Sequence, residues 1–286
     1  VDPRTPVIVG AAQLAPVEGA VEGPIALAVQ ALRLAAQDSG AGDRLLARAE
    51  AMGHVATLCW PYGDEAGLIA AELGITPSQT IRTAQFGGDG PGLLIAEMAR
   101  AIAAGELNVA LLSGAEAIAT LRRLQKEGST PAWEAQELGA KPNKQLGVDR
   151  PANNDAELAV GLAAPVYTYA LLETALQRGD RDEHQRAVAE LWSRFSEVAA
   201  GNPYAKLGKV IGVEQLLTQD AGNRPVSAPY SKLLTANADV DLATGLLMCS
   251  AEAADAAGVP RERWVFPLAA ARAHEEWFVS ERPQLA

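Results

Sequence analysis

Cysteine is nearly missing: the 286 residues hold two, Cys59 and Cys249, far apart in sequence. Neither stands in a metal-ligand spacing or a redox pair, so a disulfide framework, a zinc site and a dithiol centre are all excluded as organising features. A reducing, cytoplasmic compartment is the expectation. Long apolar runs are missing too. None approaches the ~20 residues that span a bilayer, and Val1-Asp2-Pro3-Arg4 lacks the basic segment and apolar stretch of a secretion signal, so neither membrane insertion nor export is expected. Positive charge is in short supply, with 24 Lys+Arg against 35 Asp+Glu and a net charge of −11. That balance disfavours nucleic acid, whose binding needs clustered cations to release counterions.

What is present is an ordinary globular composition, 49% hydrophobic, long enough for one large domain or two moderate ones. The first third alternates short β-branched runs with helix-length segments, the pattern of parallel strands joined by crossover helices. Val7-Ile8-Val9 reads as a buried strand. Pro24 opens a helix whose face is Ile25, Ala28, Val29, Leu32, Ala35 and Ala36, and Ser39-Gly40 ends it. A strand spans about Met52 to Cys59, a helix runs from Asp64 to Gly74, and Thr80 to Thr83 forms a third strand. Gly87, Gly88, Gly90 and Gly92 make a turn, and the helix leaving it carries Leu93, Leu94, Ile95, Met98, Ala99 and Ile102 around most of its circumference. Such a helix should be buried on more than one side. Val109 to Leu112 is the fourth strand.

From about Ala115 to Leu234 the alternation stops. Gly128 to Asn154 reads as a surface excursion. Two helices come next, the second with Asp180 as N-cap, Glu183 three residues on, and Val188, Leu191, Trp192, Phe195 and Val198 as its expected buried face. Alternation returns with a strand at Leu246 to Cys249, a helix at Ala251 to Ala257 and a strand at Trp264 to Leu268. Residues alone thus give an α/β domain interrupted by a helical lobe.

The segment Gln85-Phe86-Gly87-Gly88-Asp89-Gly90-Pro91-Gly92 joins a strand to a helix start and aims backbone N–H groups outward, which suits an anion or oxyanion; a plain tight turn satisfies the same residues. A dinucleotide fingerprint and a Walker loop both fail on spacing. His54 reads as a packed core or edge histidine, and His184 and His274 read as solvated.

The order of these strings resembles the first domain of a thiolase: Ile8 to Gln13, the glycine turn before Ala101-Ile102-Ala103-Ala104-Gly105-Glu106, then Ala110 to Glu116. Ala200-Gly201-Asn202-Pro203-Tyr204-Ala205 and Pro229 to Leu234 are similar to segments of sterol-carrier-type thiolases. The resemblance implies an α/β thiolase-like core domain, a parallel-rich mixed sheet with helices on both faces, interrupted by a mainly helical loop domain. Its expected bounds are 1–114 for the first part of the core, 115–234 for the loop domain and 235–286 for the return, with the repeating carboxyl-terminal half outside the sequence. It further implies that Gly88 stands where the family has its nucleophilic cysteine, whose pKa a helix start lowers. Gly87, Gly88, Asp89 and Gly90 are then the nucleophile-position turn, no residue is assigned a catalytic role, and no metal is expected. Cys59 could be a displaced nucleophile or a buried structural cysteine. The ligand implied is coenzyme A or acyl-CoA, with no other cofactor, and Asn237 and Ala238 are its candidate contacts; the rival role for Asn237 is a helix cap. Lys206, Lys209 and Lys232 could meet a nucleotide phosphate or simply be solvated. The expected relations are kinship with acetyl-CoA acetyltransferases without ordinary thiolase turnover, because Gly88 replaces the nucleophile, and a homo-oligomer or a partner chain supplying the absent half.

Overall fold

In a computed structural model the chain is described at residues 1–16, 19–177 and 179–285. It divides into two units, Val1–Arg150 with Asp239–Ala271, and Pro151–Ala238 with Arg272–Ala286.

Unit 1 contains β1 (Pro6–Leu14), α1 (Pro24–Asp38), α2 (Asp43–Leu46), β2 (Ala51–Val55), α3 (Glu65–Leu73), β3 (Gln79–Thr83), α4 (Gly90–Ala103), β4 (Val109–Ala117), α5 (Ile118–Lys126) and β5 (Lys144–Leu146). Unit 2 adds α6 (Asp155–Ala159), α7 (Pro165–Leu176), α8 (Arg181–Ala200), α9 (Val213–Leu217), β6 (Pro225–Ser227) and β7 (Tyr230–Ser231). The chain then re-enters unit 1 as β8 (Asp241–Ser250) and α10 (Ala251–Ala256).

The unit 1 sheet runs in the order β1-β8-β4-β2-β3-β5. β4, β2, β3 and β5 are parallel, while β8 lies antiparallel to both β4 and β1. On one face, α1, α3 and α10 bury Ile25, Leu32, Ile69 and Ala254 with Val7, Leu111 and Leu247; on the other, α4 buries Leu94, Met98 and Ile102 with Ile81, Ala110 and Met248. The caps obey the sequence: Pro24 opens α1, the Asp64 carboxylate accepts the Gly67 N–H at 2.9 Å, and Gly74 ends α3 in the left-handed region at φ +70°. Two glycines set how closely α1 lies on the sheet. A Cβ at Gly10 would stand 2.1 Å from the Ala35 carbonyl oxygen, and one at Gly245 2.6 Å from the Ala31 carbonyl.

Several expectations require correction. The excursion over 128–154 is strapped to unit 1: β5 pairs with β3, the Gln136 amide oxygen accepts the Gly63 and Asp64 N–H groups at 2.8 and 2.9 Å, and the Asp149 carboxylate accepts the Gln85 N–H at 2.7 Å. Residues 128–150 therefore belong with unit 1, and 151–154 with unit 2. β4 runs on to Ala117, and Cys59 lies in the loop beyond β2. Trp264 to Leu268 supplies only an isolated bridge, Val265 exchanging two hydrogen bonds with Ile8; Pro267 has no N–H with which to continue a ladder. In α4 a single face is buried, while Leu93, Ile95 and Ala99 are half-buried.

Unit 2 reverses the face expected of α8. Ala189 and Ser193 are its buried residues, and Leu191, Trp192, Phe195 and Val198 are exposed. Small side chains allow close approach here. Ala189 packs with Ile211 and Leu216, and the Ser196 hydroxyl donates to the Ser193 carbonyl at 2.6 Å and accepts the Ile211 N–H at 2.8 Å. The expected N-cap is present, Asp180 accepting from the Asp182 and Glu183 N–H groups. No helix among the described residues is long and apolar enough to cross a membrane.

Candidate functional site

The glycine turn joins β3 to α4. Gln85 through Asp89 are exposed and Gly90 is buried against Thr83, so the turn opens outward while the helix start is anchored. Gly87 takes φ +132°, a conformation that favours glycine. Gly88 does not need to be glycine: a Cβ there would meet nothing within 4 Å. The supply of N–H groups is smaller than the sequence suggests, since Gly90 donates to the Gly87 carbonyl at 3.3 Å and Pro91 has none to offer. The Asp89 carboxylate sits at the N-cap of this 14-residue helix. Its side chain makes no capping hydrogen bond, and the N–H end of the helix stabilises negative charge placed near it.

Next to the turn lies a cavity of about 320 Å³ whose walls are mostly apolar: Pro91, Leu94 and Ile95 of α4 and its start, Val55, Leu112, Leu242 and Leu246 from the sheet. Its polar groups include Glu116 and Thr244. Glu116 is tied to the loop after β2, its two carboxylate oxygens accepting the Leu58 N–H at 2.6 Å and the Cys59 N–H at 3.0 Å.

Neither cysteine is activated. Burial pushes the Cys59 thiol up to about 12, against a smaller opposing effect of the Ala117 N–H, which donates to Sγ at 3.4 Å; the Glu116 carboxylate raises it further. Cys249 is fully buried and also pushed up to about 12 by burial. A thiolate is the nucleophile in cysteine chemistry, and at neutral pH both groups hold their protons.

Against solved structures, the chain matches a monomeric SCP2-thiolase-like protein type 1 from Mycobacterium smegmatis over 93% of its length, at 31% identity and a TM-score of 0.72. Its fold is that of the thiolase superfamily. An Ltp2–ChsH2(DUF35) aldolase (19% identity, TM-score 0.57) and an acetyl-CoA acetyltransferase from Syntrophomonas wolfei (15%, 0.55) each match 89% of the chain and share the fold. The chain spans 50% of the first, 58% of the second and 66% of the third. No protein-family model and no curated protein matches the sequence.

In this SCP2-thiolase-like frame, the turn and the cavity lie in unit 1. Asn237 and Ala238 lie in unit 2, exposed in irregular chain. The next element along the chain is strand β8, so a helix-capping role for Asn237 is excluded. Lys206, Lys209 and Lys232 are exposed. His274 is exposed, but His184 is not the solvated side chain expected. Its Nε2 lies 2.5 Å from a Glu173 carboxylate oxygen, and the Tyr230 hydroxyl donates to the other at 2.9 Å, beside a cavity of only about 30 Å³. Burial, then the bond to Glu173, raises the Tyr230 pKa.

His54 is fully buried and hydrogen-bonded at both nitrogens. The Thr57 hydroxyl donates to the Ala115 carbonyl at 3.1 Å, so it accepts from His54 Nε2 at 3.2 Å; Nδ1 then accepts from the Ser113 hydroxyl at 2.7 Å. Burial, helped by the charge of Arg82, holds His54 down at about 3. It is a neutral structural pin. Sequence reading missed the ion pair beside it, Arg82 Nε to Glu65 at 2.8 Å with Glu65 fully buried, because the partners are 17 residues apart and no local pattern links them. Among the described residues no group of three or more His, Cys, Asp or Glu is placed to hold a metal ion.

Proposed function

We propose that this chain is a thiolase-like acyl-CoA-binding protein, related to acetyl-CoA acetyltransferases, that does not run thiolase turnover through residue 88. The observation that carries the reading is Gly88 itself: an exposed position in the turn that leads into α4, whose Pro91 lines an apolar cavity, with room for a side chain and none present. A glycine forms no thioester, and neither existing thiol is ionised at neutral pH. Binding can outlast the nucleophile, because a helix start still offers N–H groups to a polarised carbonyl. The Asp89 carboxylate at that start opposes an anion, so a neutral thioester oxygen suits it better than a carboxylate. Asn237 and Ala238 are the proposed coenzyme A contacts, and a reducing, cytoplasmic setting suits two free cysteines.

Titration calorimetry with coenzyme A and acetyl-CoA tests this directly; binding is expected, and none at millimolar ligand would overturn it. Acetoacetyl-CoA thiolysis should stay at background. In Gly88→Cys, iodoacetamide should label the new thiol faster than Cys59; equal or slower labelling would reduce the segment to a turn.

A second reading is a half-thiolase module completed by a partner chain. It is favoured by the α4 face of the sheet, where Leu242, Thr244 and Leu246 remain half-exposed beside the apolar cavity, although mostly parallel sheets are normally covered on both faces. The Mycobacterium smegmatis protein, described as monomeric, has about twice the length that this chain spans. The aldolase carries two protein names, Ltp2 and ChsH2, in its description. Strong binding of a hydrophobic dye by the isolated chain is expected, and an isolated chain free of any large apolar surface patch would sink this reading.

A further inference from the structure

The apolar cavity of unit 1 owes part of its room to one missing side chain. Gly114 of β4 stands in register between Val55 of β2 and Thr244 of β8, and all three line the cavity. A Cβ at Gly114 would stand 3.4 Å from the Val55 Cβ and 3.8 Å from the Thr244 hydroxyl oxygen, both ordinary contacts. Its φ is not positive, so the backbone does not require glycine here. What the glycine provides is space.

The cavity lies where α/β folds hold small ligands. The neighbouring parallel strands β2 and β3 send their connections to opposite faces of the sheet, β2 to α3 and β3 to α4. The crevice at the carboxyl ends of such strands is a ligand position. Val55 and Ala56 at the end of β2 and Pro91 at the start of α4 wall the cavity at that place.

Its chemistry restricts the occupant. The Ser113 hydroxyl donates to His54 at 2.7 Å, and the two Glu116 oxygens accept the Leu58 and Cys59 N–H groups. An ordered water needs about two to four polar partners, which a wall of this kind does not supply throughout its volume. An apolar occupant is favoured, and the Glu116 carboxylate opposes one that carries a free acid. An apolar cavity of about 150 Å³ already takes a benzene ring, so the cavity of about 320 Å³ has room for on the order of ten carbon atoms. An acetyl group would fill a small part of it.

We infer that this cavity is the acyl site, and that the group it takes is an aliphatic chain of about six to ten carbons rather than acetyl. The inference rests on the acyl-CoA-binding reading above. It adds the class of acyl group and names Gly114 as the residue that makes room for it.

Calorimetry of this chain with coenzyme A, acetyl-CoA, hexanoyl-CoA and octanoyl-CoA is the test. Affinity should rise with chain length, about three- to fourfold for each methylene enclosed. Gly114→Leu should remove the advantage of octanoyl-CoA over acetyl-CoA. Octanoyl-CoA binding no tighter than acetyl-CoA would overturn the inference and leave the acyl-CoA reading standing, whereas no binding by any of these ligands at millimolar concentration would overturn both. A gain with length that persists in folded Gly114→Leu would put the chain outside the cavity and overturn the inference as well. Circular dichroism checks that variant, and the length series on the unmodified chain decides the matter even if the variant does not fold. A homodimer that Ile95→Glu dissolves, together with a flat length series, would give the cavity to a second copy and overturn the inference.

Discussion

Unit 1 and unit 2 are held together by different means. In unit 1, α1 closes on the sheet through missing side chains at Gly10 and Gly245, and large apolar residues from α1, α3 and α4 pack against its two faces. Unit 2 has a small apolar cluster, Ala189, Ile211 and Leu216 with a few partly buried neighbours, and relies on polar pins. Asn223 is the clearest. Its Nδ2 donates to the carbonyls of Gln215, Leu216 and Thr218, and its Oδ1 accepts the Leu233 N–H at 2.9 Å. Glu157 likewise joins two distant segments, accepting the N–H groups of Asn154 and Ser280. The difference teaches where apolar side chains are spent: inward in unit 1, and largely outward in unit 2.

Four perturbations can break or sharpen that contrast. The largest effect is expected in unit 1 from Arg82→Ala, which leaves the buried Glu65 carboxylate without its counter-charge, only the Thr57 N–H still donating to it at 3.1 Å, and should cost about 3–5 kcal/mol by denaturant unfolding; a loss under about 1 kcal/mol would mean that the pair is solvated. In unit 2, Asn223→Ala leaves several backbone groups without their partner and should cost about 2–3 kcal/mol, with faster amide exchange at Leu233. Unchanged exchange there would show that unit 2 does not depend on this pin.

The third concerns acid. His54 has a folded pKa near 3 against 6.5 for the free group, so between those values the unfolded chain binds more protons than the folded one. Unit 1 stability should therefore fall as pH drops from about 6.5 towards 3, by at most about 1.4 kcal/mol per pH unit. His54→Gln should flatten that slope, and a slope identical to wild type would assign it to other groups. The smallest effect is Phe195→Ser, expected to change stability by less than about 0.5 kcal/mol because the ring is half in water. A cost above about 2 kcal/mol would show that the ring is buried within unit 2 after all.

Much of unit 1 was legible because its signals are local. The proline and glycine punctuation at Pro24, Gly74 and Pro91, the Asp64 cap and the β-branched runs each act within a few residues and give the α/β order; the likeness to a thiolase came from the resemblance of particular strings such as Ala110 to Glu116. The turn at 85–92 was legible as a turn, but its poverty of donors was not, since the Gly90 bond and the Asp149 strap appear only in three dimensions. β5 was missed because three residues, Lys144-Gln145-Leu146, carry no alternation. α8 was misread for a general reason: periodicity reports that a helix has an apolar stripe, not which way the stripe faces. Contact with α9 went to the small residues instead.

Gly88 has a consequence for how such a protein changes over time. Most positions at a helix start that must hold a reactive group are hemmed in by the neighbours that activate it, so changing the residue disturbs the fold. Here the space beyond the backbone is empty and φ is ordinary. Side chains can arrive at or depart from this position with almost no penalty to folding. Folding therefore places little constraint on residue 88, and the scaffold and the apolar cavity would persist through a change there.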